Sequence, residues 1–406
     1  MITLYAHSLS ERLTYAATHL FQRVLGTEVR YTSDAAFFLR QTGACLNYSD
    51  ENLHHGLQII PNGLLKTTDI YPIADLQTDQ WQGLPTIFHN GQGDVPFDLL
   101  AAAFYLLTLY GEYFPQQTDE HGRFRHQESW LYQQGILEMP IVDRWAQLLQ
   151  REWEKQSCPA QQFAGRAFRV IHTYDIDLPV MSRKSYAIGL ARNMLHGKMQ
   201  FNDTYFDAIR MIDALHTEKQ IPYYLFAMAD TVRSDYHSLL LQIMNRQATI
   251  GLHPSYDCMD DFALLKAEKQ QLEALLNTDI RHSRQHFLRF RTPQTFRELS
   301  DGGIREDFSL AFAKAVGFRS GTAIPHPFFD LQRNQTTTLL LRPTVMMDAT
   351  LIFHQKLTPD AGYQKNQKLK NECRQSGGDY LSLWHNSNIA GSANPWQEVW
   401  KKSCSE

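Results

Sequence analysis

The five cysteines of this chain, Cys45, Cys158, Cys258, Cys373 and Cys404, stand singly, and no Cys-x-x-Cys pair occurs. That scatter excludes a cysteine zinc site and a disulfide framework, and predicts free thiols. No run of lysines and arginines is present and the net charge is −4, so the electrostatic footprint of a nucleic-acid binder is missing. No apolar stretch reaches the roughly 18 residues of a spanning helix. The longest candidate, 97–110, reads as a buried helix. The opening residues MITLYAHSLSERLTYAATHLFQRVLG carry polar groups throughout and lack the apolar segment and small-residue cleavage site of a secretory leader, which predicts a cytoplasmic protein. A sugar or another small polar substrate is compatible with all of these absences.

What is present is ample core material: 43% hydrophobic and 12% aromatic residues in 406. At about 100–200 residues per domain this length predicts two domains. Up to about residue 150 short strand-like runs (Val29–Thr32, 57–60, 86–88) are broken by Asn, Gly and Asp, which predicts a smaller α+β domain over 1–160. Within it Asp98 is placed to cap a helix with Phe104, Leu107 and Tyr110 at helical spacing, stopped by Pro115. Tyr105, Tyr110, Tyr113 and Phe114 read as core, with a sugar-stacking platform as the alternative. An amphipathic helix over Ile141–Lys155 leads into SCPAQQFAGRAF, whose small and Gln-rich residues predict the domain boundary near 160.

Beyond that boundary apolar strands alternate with amphipathic helices. The predicted strands are 168–173, 223–228, 248–253, 287–291, 317–322, 338–345 and 380–385, and the predicted helices 205–219, 239–247, Phe262–Leu276 and 295–300. Such alternation means parallel pairing. Seven strands in 161–406 suit a closed or distorted barrel, with a doubly wound sheet as the competing layout. In either, chemistry gathers at the C-terminal ends of the strands. Four strand ends there carry it. FRVIHTYDID ends in Asp175 and Asp177, two apart and so on one face, where a cation would relieve their repulsion. IGLHPSYD places His253 at a strand end with Asp257 four residues on, both ligand types for first-row metals. HSRQHFLRFRTPQTF offers Arg284, His286, Arg289 and Arg291, of which Arg291, next to Thr-Pro, is the preferred carboxylate-orienting group. DYLSLWHNSN ends in Trp384 and His385, a pocket wall or core side chain and a general acid for neutral pH.

An Asp-x-Asp after the first strand, a His-containing turn after the third, F-R-x-P and a final L-x-H, in that order, resemble the polysaccharide deacetylases of carbohydrate esterase family 4. The resemblance covers roughly residues 166–390. The preceding segments FYLLTLYGEYFP, DEHGRF and PIVDRW look like the N-terminal domain that accompanies a bacterial subgroup of them. It implies a distorted (β/α)7 barrel, a divalent metal with zinc first, and hydrolysis of an N-acetylated sugar or glycan precursor. By resemblance Asp175 takes the place of the general base, Asp177 and His253 of metal ligands, Arg291 with Pro293 of the motif that orients the base, and His385 of the acid that protonates the leaving amine. The family's second metal histidine is Asp257 here, and Pro254 follows His253 where Ser or Thr is usual. The third ligand is then Asp257 or His286, with His286 preferred because two imidazoles suit zinc, unless metal binding has been lost. Two rivals remain: an inactive carbohydrate-binding or scaffold protein of the same fold, and a hydrolase of cyclic amides. A homo-oligomer is compatible with the sequence.

Overall fold

The computed structural model describes residues 1–73, 75–156, 163–178, 203–231, 234–246 and 248–405. Cys158 and the boundary expected near 160 lie outside them. The other four cysteines are buried free thiols.

The first strands, β1 (Ile2–Tyr5), β2 (Val29–Thr32), β3 (Cys45–Asn47) and β4 (Leu57–Gln58), form a sheet of order β2-β1-β3-β4 in which every pair is parallel. Helices over Glu11–Ala17 and Ala35–Leu39, capped by Ser10 and Asp34, bring the chain back between strands. This corrects the expected α+β arrangement to a parallel α/β one. The misreading has a local cause: β1 and β3 are four and three residues long and buried on both faces, so they show no alternation to read. A hairpin of β5 (Asp79–Trp81) and β6 (Leu84–Thr86) adds an antiparallel pair to this half. Asp98 caps the helix Leu99–Leu107 as expected, accepting from the Ala101 amide at 3.0 Å and also from Asn62 N and Tyr48 Oη at 2.8 Å. That helix stops at Leu107, before Pro115, because Leu109 turns left-handed at φ 54° and a short 3-10 turn follows.

The larger sheet holds β7 (Arg169–Ile176), β8 (Tyr223–Ala227), β9 (Ala248–Leu252), β10 (His282–Ser283), β11 (Glu306–Leu310), β12 (His326–Asp330), β13 (Gln335–Pro343), β14 (Met346–Met347) and β15 (Asp379–His385). Their order is β12-β13-β11-β10-β9-β8-β7-β15-β14, parallel throughout except for the β12–β13 hairpin. Only Thr344 and Val345 separate β13 from β14. Thr344 N donates to Leu310 O of β11 at 3.0 Å and Val345 N to Leu381 O of β15 at 2.9 Å. One uninterrupted segment therefore pairs with both β11 and β15, which stand near opposite ends of that order. Helices Thr204–Lys219, Ser234–Met244, Phe262–Leu276, Gln294–Asp301 and Pro359–Ser376 connect the parallel strands.

Two expected strands are absent. Over 287–291 the chain forms a turn, with Phe287 at φ 59° and Leu288 at φ 51°, because the strand ends earlier, at Ser283. Over 317–322 it packs against the first half: a Cβ on Gly317, at φ 129°, would lie 2.3 Å from Leu137 O. The place in the sheet belongs to β11, whose acidic start had hidden it. Nor does the apolar core divide where the chain's texture does. Phe312, Ala315, Ile324, Phe329 and Leu331 belong to the same buried cluster as Leu20, Phe104 and Trp145. Asp143 is fully buried and accepts from Thr322 Oγ1 at 2.5 Å and from Ala323 N at 3.0 Å. Among the described residues no helix is long and apolar enough to cross a membrane.

Candidate metal centre

Strand β7 runs to Ile176, three residues past the expected end at 173, and so carries Asp175 within the ladder, in register with His385 of β15 and Phe226 of β8. Asp177 follows the strand end and is partly exposed. His253 directly follows β9, held there by its amide bond to Ala227 O at 2.9 Å. The turn after β10 brings in His286. These positions gather at one end of the parallel sheet, as β/α geometry requires.

One ligand atom each from Asp177, His253 and His286 lie within 4.8 Å of one another. His253 Nε2 is 3.0 Å from Asp177 Oδ1, and His286 Nε2 is 3.9 Å from the same oxygen. The other His253 nitrogen, Nδ1, donates to Arg284 O at 2.6 Å, which aims Nε2 at the carboxylates. Burial disfavours charge on His253, but Asp175 and Asp177 outweigh it and raise its pKa. Burial and the neighbouring His253 push His286 down to about 4, leaving a neutral imidazole. Burial works to raise Asp177, yet His253, His385 and His286 hold it well below the ordinary carboxylate range. Asp257 is exposed and stands outside this group.

Asp175, 2% exposed, receives Arg284 Nη1 at 3.0 Å. Arg284 is itself fully buried and also reaches Thr173 Oγ1 at 2.7 Å, Thr344 Oγ1 at 3.2 Å and Phe308 O at 3.1 Å. Arg291, the residue preferred from the sequence, is elsewhere: its guanidinium pairs with Asp260 at 3.0 Å and its side chain is 55% exposed. The cause is the early end of β10, which makes Arg284 the arginine at the strand end. On the opposite wall His385 Nδ1 donates to Asp348 Oδ1 at 2.6 Å, while the His385 amide and Asn388 Nδ2 donate to Asp348 Oδ2. His385 Nε2 thereby faces Asp177 Oδ2 at 3.9 Å. Burial disfavours its charge, but Asp348, with Asp177 and Asp175, lifts its pKa to about 10. Asp348 was not found from sequence. It follows β14, two residues long, and nothing in MMDAT marks a strand end. Trp384 is core, not a pocket wall.

The cavity over these groups holds about 270 Å³ and is walled by Phe287, Leu288, Met347 and Phe353 on one part, and by Glu120, His121 and Arg123 from the first half on another. That first-half segment is fastened in place: His121 O accepts from Arg289 Nε at 2.8 Å, and Arg123 Nη1 donates to Phe287 O at 2.5 Å.

A family model described as DUF7033, a family of unknown function, matches residues 2–157. No curated protein is similar to this chain. Among solved structures, a provisionally named polysaccharide deacetylase from Mycobacterium smegmatis is 13% identical, with TM-score 0.43 over 61% of this chain and 86% of its own. A probable polysaccharide deacetylase from Pseudomonas aeruginosa PAO1 is 10% identical, with TM-score 0.42 over 59% and 84%. A CE4-family pseudoenzyme from Bacillus anthracis is 12% identical, with TM-score 0.34 over 58% and 59%.

Proposed function

We propose that this chain is a metal-dependent hydrolase of the polysaccharide-deacetylase kind, removing the N-acetyl group from an amino sugar in a glycan precursor. With β13 and β14 counted as one strand and the antiparallel β12 set aside, its larger sheet is read as a distorted seven-stranded (β/α) barrel, closed where the segment through Thr344 and Val345 pairs with both β11 and β15. The observation that carries the reading is the convergence of Asp177, His253 and His286 within 4.8 Å beside two further buried pairs, Asp175–Arg284 and Asp348–His385.

The donor set fits a divalent metal. It offers two imidazoles and one carboxylate, with one ligand atom of each within 4.8 Å of the others. Zinc suits this mixture first, with cobalt, nickel and iron next. An ion held there supplies a Lewis acid for the amide carbonyl and lowers the pKa of water toward ~7. Asp175 takes the proton of the attacking water as general base. Arg284 fixes that carboxylate's orientation and offsets its charge. His385 gives a proton from Nε2 to the departing amine, and Asp348 holds the ring in the tautomer and orientation this needs. Acetate and a free amino sugar leave.

The test is metal content and acetate release on chitin oligomers. Wild type should hold about one metal per chain. His253→Ala and His286→Ala should lose it, while Asp257→Ala keeps it. Asp175→Asn should lower turnover by at least roughly 100-fold. A wild type that takes up no metal even with added zinc would sink the reading, and sugar binding without turnover would favour an inactive carbohydrate-binding protein. Asp348→Asn should lower turnover about 100-fold with metal content unchanged, because His385 then loses its anionic anchor. Parallel metal analysis and acetate assays decide this, and a metal-free variant would mean that Asp348 acts on the ligand set.

A further inference from the structure

A second cavity, of about 520 Å³, lies wholly in the first half of the chain. Its lining includes aromatic rings, of which Tyr105 and Phe114 are partly exposed while Tyr110 and Trp130 are buried. Tyr105 and Tyr110 stack at 5.5 Å and 28°, Phe114 leans on Tyr110 at 6.2 Å, and Trp130 closes one side. Its rim carries side-chain amides, Gln133 and Gln134 among them, and the carboxylate of Glu128. No lysine, arginine or histidine lines it among the described residues. Tyr113, by contrast, turns away and accepts from Leu331 N through Oη.

This lining selects a class of ligand. The absence of any cation, together with Glu128, disfavours phosphate or carboxylate groups. A pyranose has an apolar C–H face for aromatic rings and equatorial hydroxyls at its edge for amides and carboxylates. The cavity neighbours the metal centre by way of an intervening cleft. Phe124 walls both it and a neighbouring cleft of about 280 Å³, and that cleft shares Arg123, Leu288 and Ala313 with the metal-centre cavity.

We infer that the aromatic cavity is a remote subsite that binds the non-reacting, uncharged sugar units of a glycan chain whose acetylated unit lies at the metal centre. The inference rests on the proposed function for the identity of the reacting unit, and on the cavity's own lining for the sugar. Binding there is taken as uniform, equal in the ground and transition states of the distant acetylated unit, so its loss raises KM and spares kcat.

The probes are N-acetylglucosamine oligomers of one to six units, with binding measured calorimetrically on metal-free protein and kinetics on the zinc-loaded enzyme. Wild type should bind the hexamer more tightly than the dimer. Phe114→Ala and, as a surface variant that leaves the aromatic packing whole, Gln134→Ala should weaken hexamer binding, by roughly tenfold for Phe114→Ala. KM for the hexamer should rise in parallel, with kcat and dimer kinetics unchanged. Hexamer binding that depends on Phe114 in a protein without turnover would support the subsite and overturn the hydrolase reading. Turnover with equal affinity for hexamer and dimer, or with hexamer KM within twofold of wild type in both variants, would overturn the subsite. So would wild-type protein that binds no oligomer.

Discussion

Arg284→Met is expected to destabilise the protein by about 3–5 kcal/mol and to lower turnover by roughly 100-fold or more, whereas Arg291→Ala costs at most about 1 kcal/mol and leaves turnover within about twofold. Arg284 is fully buried, and its guanidinium lies over the Phe226 ring at 4.7 Å while bonding to Asp175, Thr173, Thr344 and Phe308. Methionine keeps most of the apolar stem and removes the charge. Asp175 is then a buried carboxylate left with the imidazoles of His253, at 3.8 Å, and His385 as its basic neighbours. Leaving one member of a buried pair costs more than the pair itself contributes. Arg284→Lys should recover little, because one ammonium cannot span four acceptors set around a planar fork. Arg291 sits at the surface against Asp260, where solvent screens the pair. Urea denaturation and acetate release on the three variants decide the matter, and an Arg291→Ala enzyme as impaired as Arg284→Met would refute the assignment.

Residues 163–406 expressed alone are expected to fail to fold cooperatively. Five of their apolar side chains, Phe312, Ala315, Ile324, Phe329 and Leu331, are buried in the core of the first half. At about 1.5–3 kcal/mol for each large one, their exposure cancels most of the 5–15 kcal/mol by which a typical domain is stable. Polar links are severed as well. Arg319 would lose its two-pronged pair with Glu112 at 2.8 and 2.7 Å, and Thr322 its bond to Asp143. Circular dichroism melts of the fragment and of the full chain test this. A soluble fragment with a sharp transition and the full chain's metal affinity would show that the second half is autonomous after all.

The sequence was most readable where an element is long and one-sided. Ile141–Lys155 and Phe262–Leu276 form as expected, because fifteen-residue amphipathic periodicity has few competing readings. Strand ends were legible where apolar runs stop abruptly at a ligand-type residue, as at Asp175, His253 and His385. They were illegible where pairing is brief. β10 is two residues long, so FLRFR, residues 287–291, took its place as the expected strand and carried the preference for Arg291 with it. Tertiary contacts decided the segment at 317–322, whose strand-like composition yields to packing against Leu137. Asp348 could not be inferred at all, since its role arises only from the pairing of β14 with β15.

The segment through Thr344 and Val345 also sets a timetable. Its partner β15 must pair with β7, and Arg169 and Asp379, joined across that pair, are 210 residues apart. At about 5–20 residues per second, a ribosome needs roughly ten to forty seconds to make the interval. Until then β7 has no neighbour on that side, and the aromatic core of the first half waits for Phe329 and Leu331. The first half cannot be finished before Leu331 is made, nor the second before β15. A nascent chain of this kind exposes strand edges and apolar surface for most of its synthesis, which makes its yield in cells sensitive to chaperone supply and to translation speed.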